Sequence, residues 1–70
     1  MNAPAINLRA LRLNRGLSCV QAARQIGISR STLDRAEKGS SRPWPEHARK
    51  IASFYGYQVT DIWPVEAAAA

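Results

Sequence analysis

The sequence contains one cysteine, Cys19, and one histidine, His47. A single cysteine cannot close an internal disulfide, and one histidine beside it cannot complete a zinc site. Thiol use this sparse suits a reducing compartment, so a cytoplasmic protein is expected. Only five acidic residues are present, and no carboxylate pair, Ser/His/Asp triad or metal cluster can be assembled from the residues available. No apolar run approaches the ~20 residues of a membrane span, and no signal-like apolar stretch stands near the N-terminus. Large apolar side chains are scarce too. Twelve of the apolar residues are alanine, leaving five Leu, five Ile, three Val, five aromatics and one Met. In 70 residues there is room for one domain with one small core and no deep catalytic cleft. Such a core leaves a net stability of about 3–5 kcal/mol. The expectation is a non-enzyme without cofactor or metal and with no membrane partner.

What the chain does have is positive charge, unevenly placed. Ten Lys and Arg oppose five Asp and Glu, for a net charge of +5. Residues 1–42 carry eight basic and two acidic side chains, whereas residues 43–70 carry two basic and three acidic ones. Eight of the ten basic residues are arginine, whose planar fork matches phosphates and guanine edges. A basic half on a small domain points to a polyanion, most often nucleic acid.

The punctuation of the chain predicts five short helices and no strand. Asn7 is placed to cap a first helix of about Leu8 to Arg15, with Leu8 and Leu11 on one face. Ser18 caps a second, about Cys19 to Gln25, with Val20, Ala22, Ala23 and Ile26 expected on its apolar face. Ser29 caps a third, about Arg30 to Lys38, with Leu33 and Ala36 inward. Pro45 suits the first position of a fourth helix, where Ala48, Ile51, Ala52 and Tyr55 form an i, i+3, i+4, i+7 stripe. A fifth, about Val59 to Trp63, stops at Pro64, and a glycine follows each of the first four. The expected organisation is one domain over residues 1–64 and a flexible tail over 65–70.

The junction between the second and third helices is the most specific local feature. Gly27-Ile28-Ser29 is the length of a helix-turn-helix connection, with glycine where a positive φ is needed. Ala23, four residues earlier, lets the next helix cross closely. Any helical hairpin accounts for the apolar stripe. It does not account for a third helix whose outward positions are Arg30, Ser31, Thr32, Asp34, Arg35 and Lys38.

The segment LRALRLNRGLSCVQAARQIGISRSTLDRAEKG resembles the phage repressor and Cro family of helix-turn-helix proteins, also called XRE-type. The likeness continues through RPWPEHARKIASFYGYQVTDIWP, whose PWPEHARKIA and DIWP pieces are similar to Ner-like phage regulators. The resemblance implies an all-α, compact five-helix bundle with a lambda-repressor-like helix-turn-helix that binds double-stranded operator DNA, usually as a dimer. It also implies that Arg12 and Glu37 pair to join the first helix to the third. Cys19 is a departure, because the family usually places there a Gln that touches a phosphate.

Candidate site residues follow from major-groove docking geometry. Arg30 and Ser31, at the start of the third helix, are candidate base contacts, and Arg35 is another, expected on roughly the same side. Asp34 is spaced to pair with either Arg30 or Lys38. Ser18, Ser29, Thr32, Lys38, Ser40, Ser41 and Arg42 are candidate contacts to the DNA backbone, which position without specifying; Ser18 is expected to offer its N–H. Cys19 is expected to be a small apolar filler and His47 to be exposed. Trp44, Phe54, Tyr57, Ile62 and Trp63 are expected mostly in the core, with some of them forming a homodimer seam around Tyr57, Ile62 and Trp63. That dimer is expected to be weak and to form mainly on DNA. Three functions compete: a repressor or Cro-like transcriptional regulator, an architectural or recombination accessory protein, and an antitoxin-like partner-binding module.

Overall fold

The structure, a computed structural model, describes residues 4–40 and 42–64. Ser41 and the expected tail over 65–70 lie outside the described residues. Five helices follow one another: α1 (Leu8–Asn14), α2 (Cys19–Ile26), α3 (Arg30–Lys38), α4 (Pro45–Tyr55) and α5 (Val59–Ile62). No strand occurs among the described residues. Asn7, Ser18 and Ser29 each accept a backbone N–H of the first turn that they precede, so the first three helices start at side-chain caps. Helix α4 starts instead at Pro45 with Trp44 as an N-cap that makes no side-chain bond. At the α2–α3 turn Gly27 has φ +91°, and a Cβ there would meet nothing within 4 Å. Glycine is required at that corner by backbone conformation and not by space.

The core is built on few large groups. Leu8, Leu33, Ile51 and Ile62 are its largest fully buried side chains, joined by Tyr55 and Trp63. Between them lie five buried alanines, Ala22, Ala23, Ala36, Ala48 and Ala52. Alanine at the crossing points lets short helices approach closely, so little side-chain volume fills the space between them. Helix α3 packs on α2 and α1, and α4 packs on α2 and α5. The Ala5 N–H donates to the Ile62 carbonyl at 2.6 Å, which joins the start of the chain to α5 and closes the bundle.

Three expectations about packing are corrected. Val20 is exposed, whereas Cys19 packs against the core as the expected small filler. Cys19, Ala22, Ala23 and Ile26 are the residues that a 3.6-residue repeat puts on one stripe, and Val20 falls outside it. Trp44 and Tyr57 are exposed, whereas Ile62 and Trp63 are buried. A dimer seam around Tyr57, Ile62 and Trp63 therefore has only Tyr57 to offer, because α5 spends its apolar residues closing the bundle. His47 is half-buried rather than exposed, and its Nδ1 is enclosed without a hydrogen-bond partner.

Two arginines act as ties. Arg12 donates through Nε to Glu37 Oε2 at 2.8 Å and through Nη2 to Glu37 Oε1 at 3.1 Å. Its Nη1 donates to the Leu17 carbonyl at 3.1 Å, so one guanidinium holds α1, the α1–α2 turn and α3. The two side chains are only 10% and 6% exposed. The bonds to Glu37 raise the Arg12 pKa above its ordinary value against the opposing effect of burial. Arg15 donates to the Phe54 carbonyl at 3.0 Å, and its guanidinium lies 4.9 Å from the Phe54 ring centroid and 5.1 Å from that of Tyr55. A cation at the last turn of α4 also complements the helix dipole.

Removing one member of a buried ion pair leaves the other charge unpaired, at a cost of about 3–5 kcal/mol. Arg12→Met or Glu37→Leu alone is therefore expected to consume most of the stability, and the double variant to regain much of it. Thermal unfolding of the four proteins checks this; additive effects would show that the two groups do not couple.

Candidate nucleic-acid interface

The outer arc of α3 is set by what its inner side buries. Leu33 and Ala36 are in the core and Glu37 is held by Arg12. At about 100° per residue, this leaves Ser31, Asp34, Arg35 and Lys38 around the opposite side, with Arg30 at the margin of the arc, about 20° from Glu37. Arg30, Ser31, Arg35 and Lys38 are exposed. Arg35 shares its face with Ser31, four residues before it, whereas Arg30 stands about 140° round the helix from Arg35. The expectation that the two arginines point the same way is corrected accordingly: they bracket the arc and do not stack along it.

The carboxylate on this arc chooses one partner. Asp34 Oδ2 lies 3.2 Å from Lys38 Nζ, and Arg30 makes no ion pair among the described residues. The Asp34–Lys38 pair is exposed and worth only about 0.2–0.5 kcal/mol, so a phosphate could displace Asp34 from Lys38 at little cost.

Hydroxyls and backbone donors cluster at the ends of α2 and α3. Ser29 Oγ accepts the Thr32 N–H at 3.1 Å and lies 2.7 Å from Thr32 Oγ1. Two hydroxyls that share one bond use one proton between them, so the other remains free for an external acceptor. Ser18 Oγ accepts the Gln21 N–H at 3.1 Å, and the Ser18 N–H donates to Gln21 Oε1 at 2.9 Å. The Ser18 N–H is thus already used, and what remains at this corner is the hydroxyl proton and the Gln21 amide nitrogen. The spacing Ser-x-x-Gln carries that capping-box signal, so Gln21 was legible as a participant. After α3, the N–H groups of Gly39 and Ser40 both donate to the Arg35 carbonyl, at 2.9 and 3.1 Å, which leaves Ser40 its hydroxyl. Arg42 is exposed, and Ser41 between them is outside the described residues. Cys19 Sγ lies 3.9 Å from the Arg30 carbonyl, joining the start of α2 to the start of α3.

The basic half of the chain therefore divides. Arg12 and Arg15 are structural ties, Lys38 is shared with Asp34, and Arg9, Arg24, Arg30, Arg35 and Arg42 have no ion-pair partner among the described residues. Arg15 could not have been sorted from the rest by sequence, because its partner Phe54 is 39 residues away. Among the described residues no cluster of His, Cys, Asp or Glu could hold a metal ion, and no helix is long and apolar enough to cross a membrane.

Residues 5–62 match a helix-turn-helix domain family. The chain belongs to that family. Within the helix-turn-helix, α2 is the first helix, Gly27-Ile28-Ser29 the turn and α3 the second helix. The chain is similar to the cryptic phage CTXphi transcriptional repressor RstR of Vibrio cholerae, at 34% identity over 55 residues. The match covers 79% of this chain and 50% of the repressor, so the chain spans about half that relative's length. It is also similar to an uncharacterised HTH-type transcriptional regulator of Methanocaldococcus jannaschii, at 36% identity over 59 residues covering 84% of this chain and 89% of the regulator.

The Ser29 cap positions the first turn of this second helix. Ser29→Ala is expected to cost about 1 kcal/mol and to lower the melting temperature by about 4–8 °C. An unchanged melting curve would mean that the cap contributes nothing to α3.

Proposed function

We propose that this protein is a sequence-specific double-stranded DNA-binding transcriptional regulator of the repressor or Cro-like type, working in the cytoplasm of a bacterial or phage-infected cell. The observation that carries the reading is the outer arc of α3. Arg30 and Arg35, neither in an ion pair, flank Ser31 on a helix whose inner side is pinned by the Arg12–Glu37 pair. In this reading the start of α3 enters the major groove. Arg30 and Arg35 donate to guanine edges, and Ser31 meets a base or a neighbouring phosphate. Ser18, Ser29, Thr32, Lys38, Ser40 and Arg42 engage the sugar-phosphate backbone and set the register. The action is occupancy: a bound protein excludes polymerase or a competing regulator, with no bond made or broken. The naming of similar proteins as transcriptional regulators supports the reading.

A single α3 reads few base pairs, and each correct pair adds only about 1–3 kcal/mol of discrimination. Two copies one helical turn apart, about 34–36 Å, give the usual remedy. With Ile62 and Trp63 in the core, little apolar surface is left at α5 for a stable dimer in free solution, so pairing is expected on DNA.

Two outcomes test the proposal. If about five basic groups per subunit neutralise phosphates, log K falls against log salt with a slope of roughly −4 to −5 per subunit. Sedimentation then shows one subunit free and two on a saturated duplex. Salt-independent binding, or a tight dimer without DNA, contradicts this. Separately, Arg30→Ala is expected to lose about 1–3 kcal/mol and to relax preference at one base pair. Arg42→Ala should weaken all sequences alike. Identical behaviour of the two variants would make Arg30 a phosphate contact.

A further inference from the structure

At 77% exposure, Trp44 is the most exposed large apolar side chain among the described residues. Its backbone is held extended at φ −54°, ψ 150°, between Pro43 and Pro45. An indole carried on so restrained a segment loses little backbone freedom when something binds it. Two open clefts flank it. One, of about 400 Å³, is lined by Thr32, Arg35, Arg42, Pro43, Trp44 and His47. The other, of about 560 Å³, is lined by Arg42, Pro43, Trp44, Pro45, Arg49 and Val59. Neither is lined by a carboxylate, and Arg35, Arg42 and Arg49 make no ion pair among the described residues.

The charge around Trp44 selects its occupant. A second copy of the chain docked face to face would set arginine against arginine, and an apolar partner would leave three guanidinium groups without counter-charge. An aromatic ring among unpaired arginines suits a polyanion that has apolar ring faces between its charges, which describes the sugar-phosphate edge of DNA. The first cleft is also continuous with the arc of α3 through Thr32 and Arg35. We propose that Trp44 is a DNA contact outside the helix-turn-helix. Its indole packs on deoxyribose at the flank of the site read by α3, and Arg42 and Arg49 take the adjoining phosphates. This rests on the DNA-binding reading above and extends the footprint past Arg42 to the start of α4.

The chain has two tryptophans, and Trp63 is buried, so acrylamide quenching of the intact protein minus that of Trp44→Phe isolates Trp44. The probe is a mixed-sequence DNA duplex of about two helical turns, labelled so that anisotropy reports saturation independently. On the saturated duplex, quenching of Trp44 is expected to fall by about half or more. Trp44→Ala should weaken binding about five- to tenfold on all sequences alike, near the low end for an aromatic contact, while Trp44→Phe stays within about twofold. Unchanged quenching on a saturated duplex overturns the Trp44 proposal and leaves the α3 reading standing. Quenching that falls with protein concentration alone makes this face a self-contact and also overturns it. No binding of the duplex by the intact protein overturns both readings.

Discussion

The Arg12 guanidinium is almost wholly removed from water, and only its bonds to Glu37 and Leu17 make that position tolerable. Those bonds run from the last turn of α1, through the corner before α2, to the inner side of α3. A core of alanines and a few aliphatic side chains is apolar but not directional, and would allow a nine-residue helix to rotate or slide. The forked, bidentate pair is directional. Together with buried Leu33 and Ala36 it sets which side of α3 faces inward and hence which residues stand on the outer arc. An ion pair that adds little net stability over an apolar substitute thus supplies orientation, which a recognition surface needs.

That constraint also explains how the positive charge is apportioned. A net charge of +5 on 70 residues suggests a uniformly basic surface, but the arginines have separate roles. Arg12 and Arg15 lock the scaffold, one by a carboxylate and one by a carbonyl and two aromatic rings. The arginines left without ion-pair partners include both ends of the α3 arc and the Arg42–Trp44 segment that follows it. Charge that holds the fold and charge that remains available to a ligand come from the same residue type and differ only in what lies within reach.

Much of this was legible in the sequence because helix boundaries are local chemistry. Ser18 and Ser29 cap, Gly27 turns the corner, and α3 and α4 have the expected bounds. The Arg12–Glu37 relation was implied by family resemblance and not by spacing, since 25 residues separate the two. Most of what escaped depended on distant partners. Val20 was instead a matter of local phase: the helical repeat, not hydrophobicity, turns it away from the core at the start of α2. Trp44 and Trp63 are the same residue type, yet Trp63 is buried by closure of the bundle at α5 and Trp44 is held exposed between Pro43 and Pro45, the first residue of α4. The outer arc of α3 was foreseen in its residues but not in the angle between Arg30 and Arg35.

The central claim is that this arc reads DNA sequence from an orientation fixed by the buried pair. The most direct test is selection of bound duplexes from a random-sequence library by the intact chain. The account predicts enrichment of an inverted repeat of short half-sites whose centres lie about one helical turn apart, with guanine at positions within reach of Arg30 and Arg35. Recovery of sequences no different from the input library, at a salt concentration where the protein still binds, would contradict it.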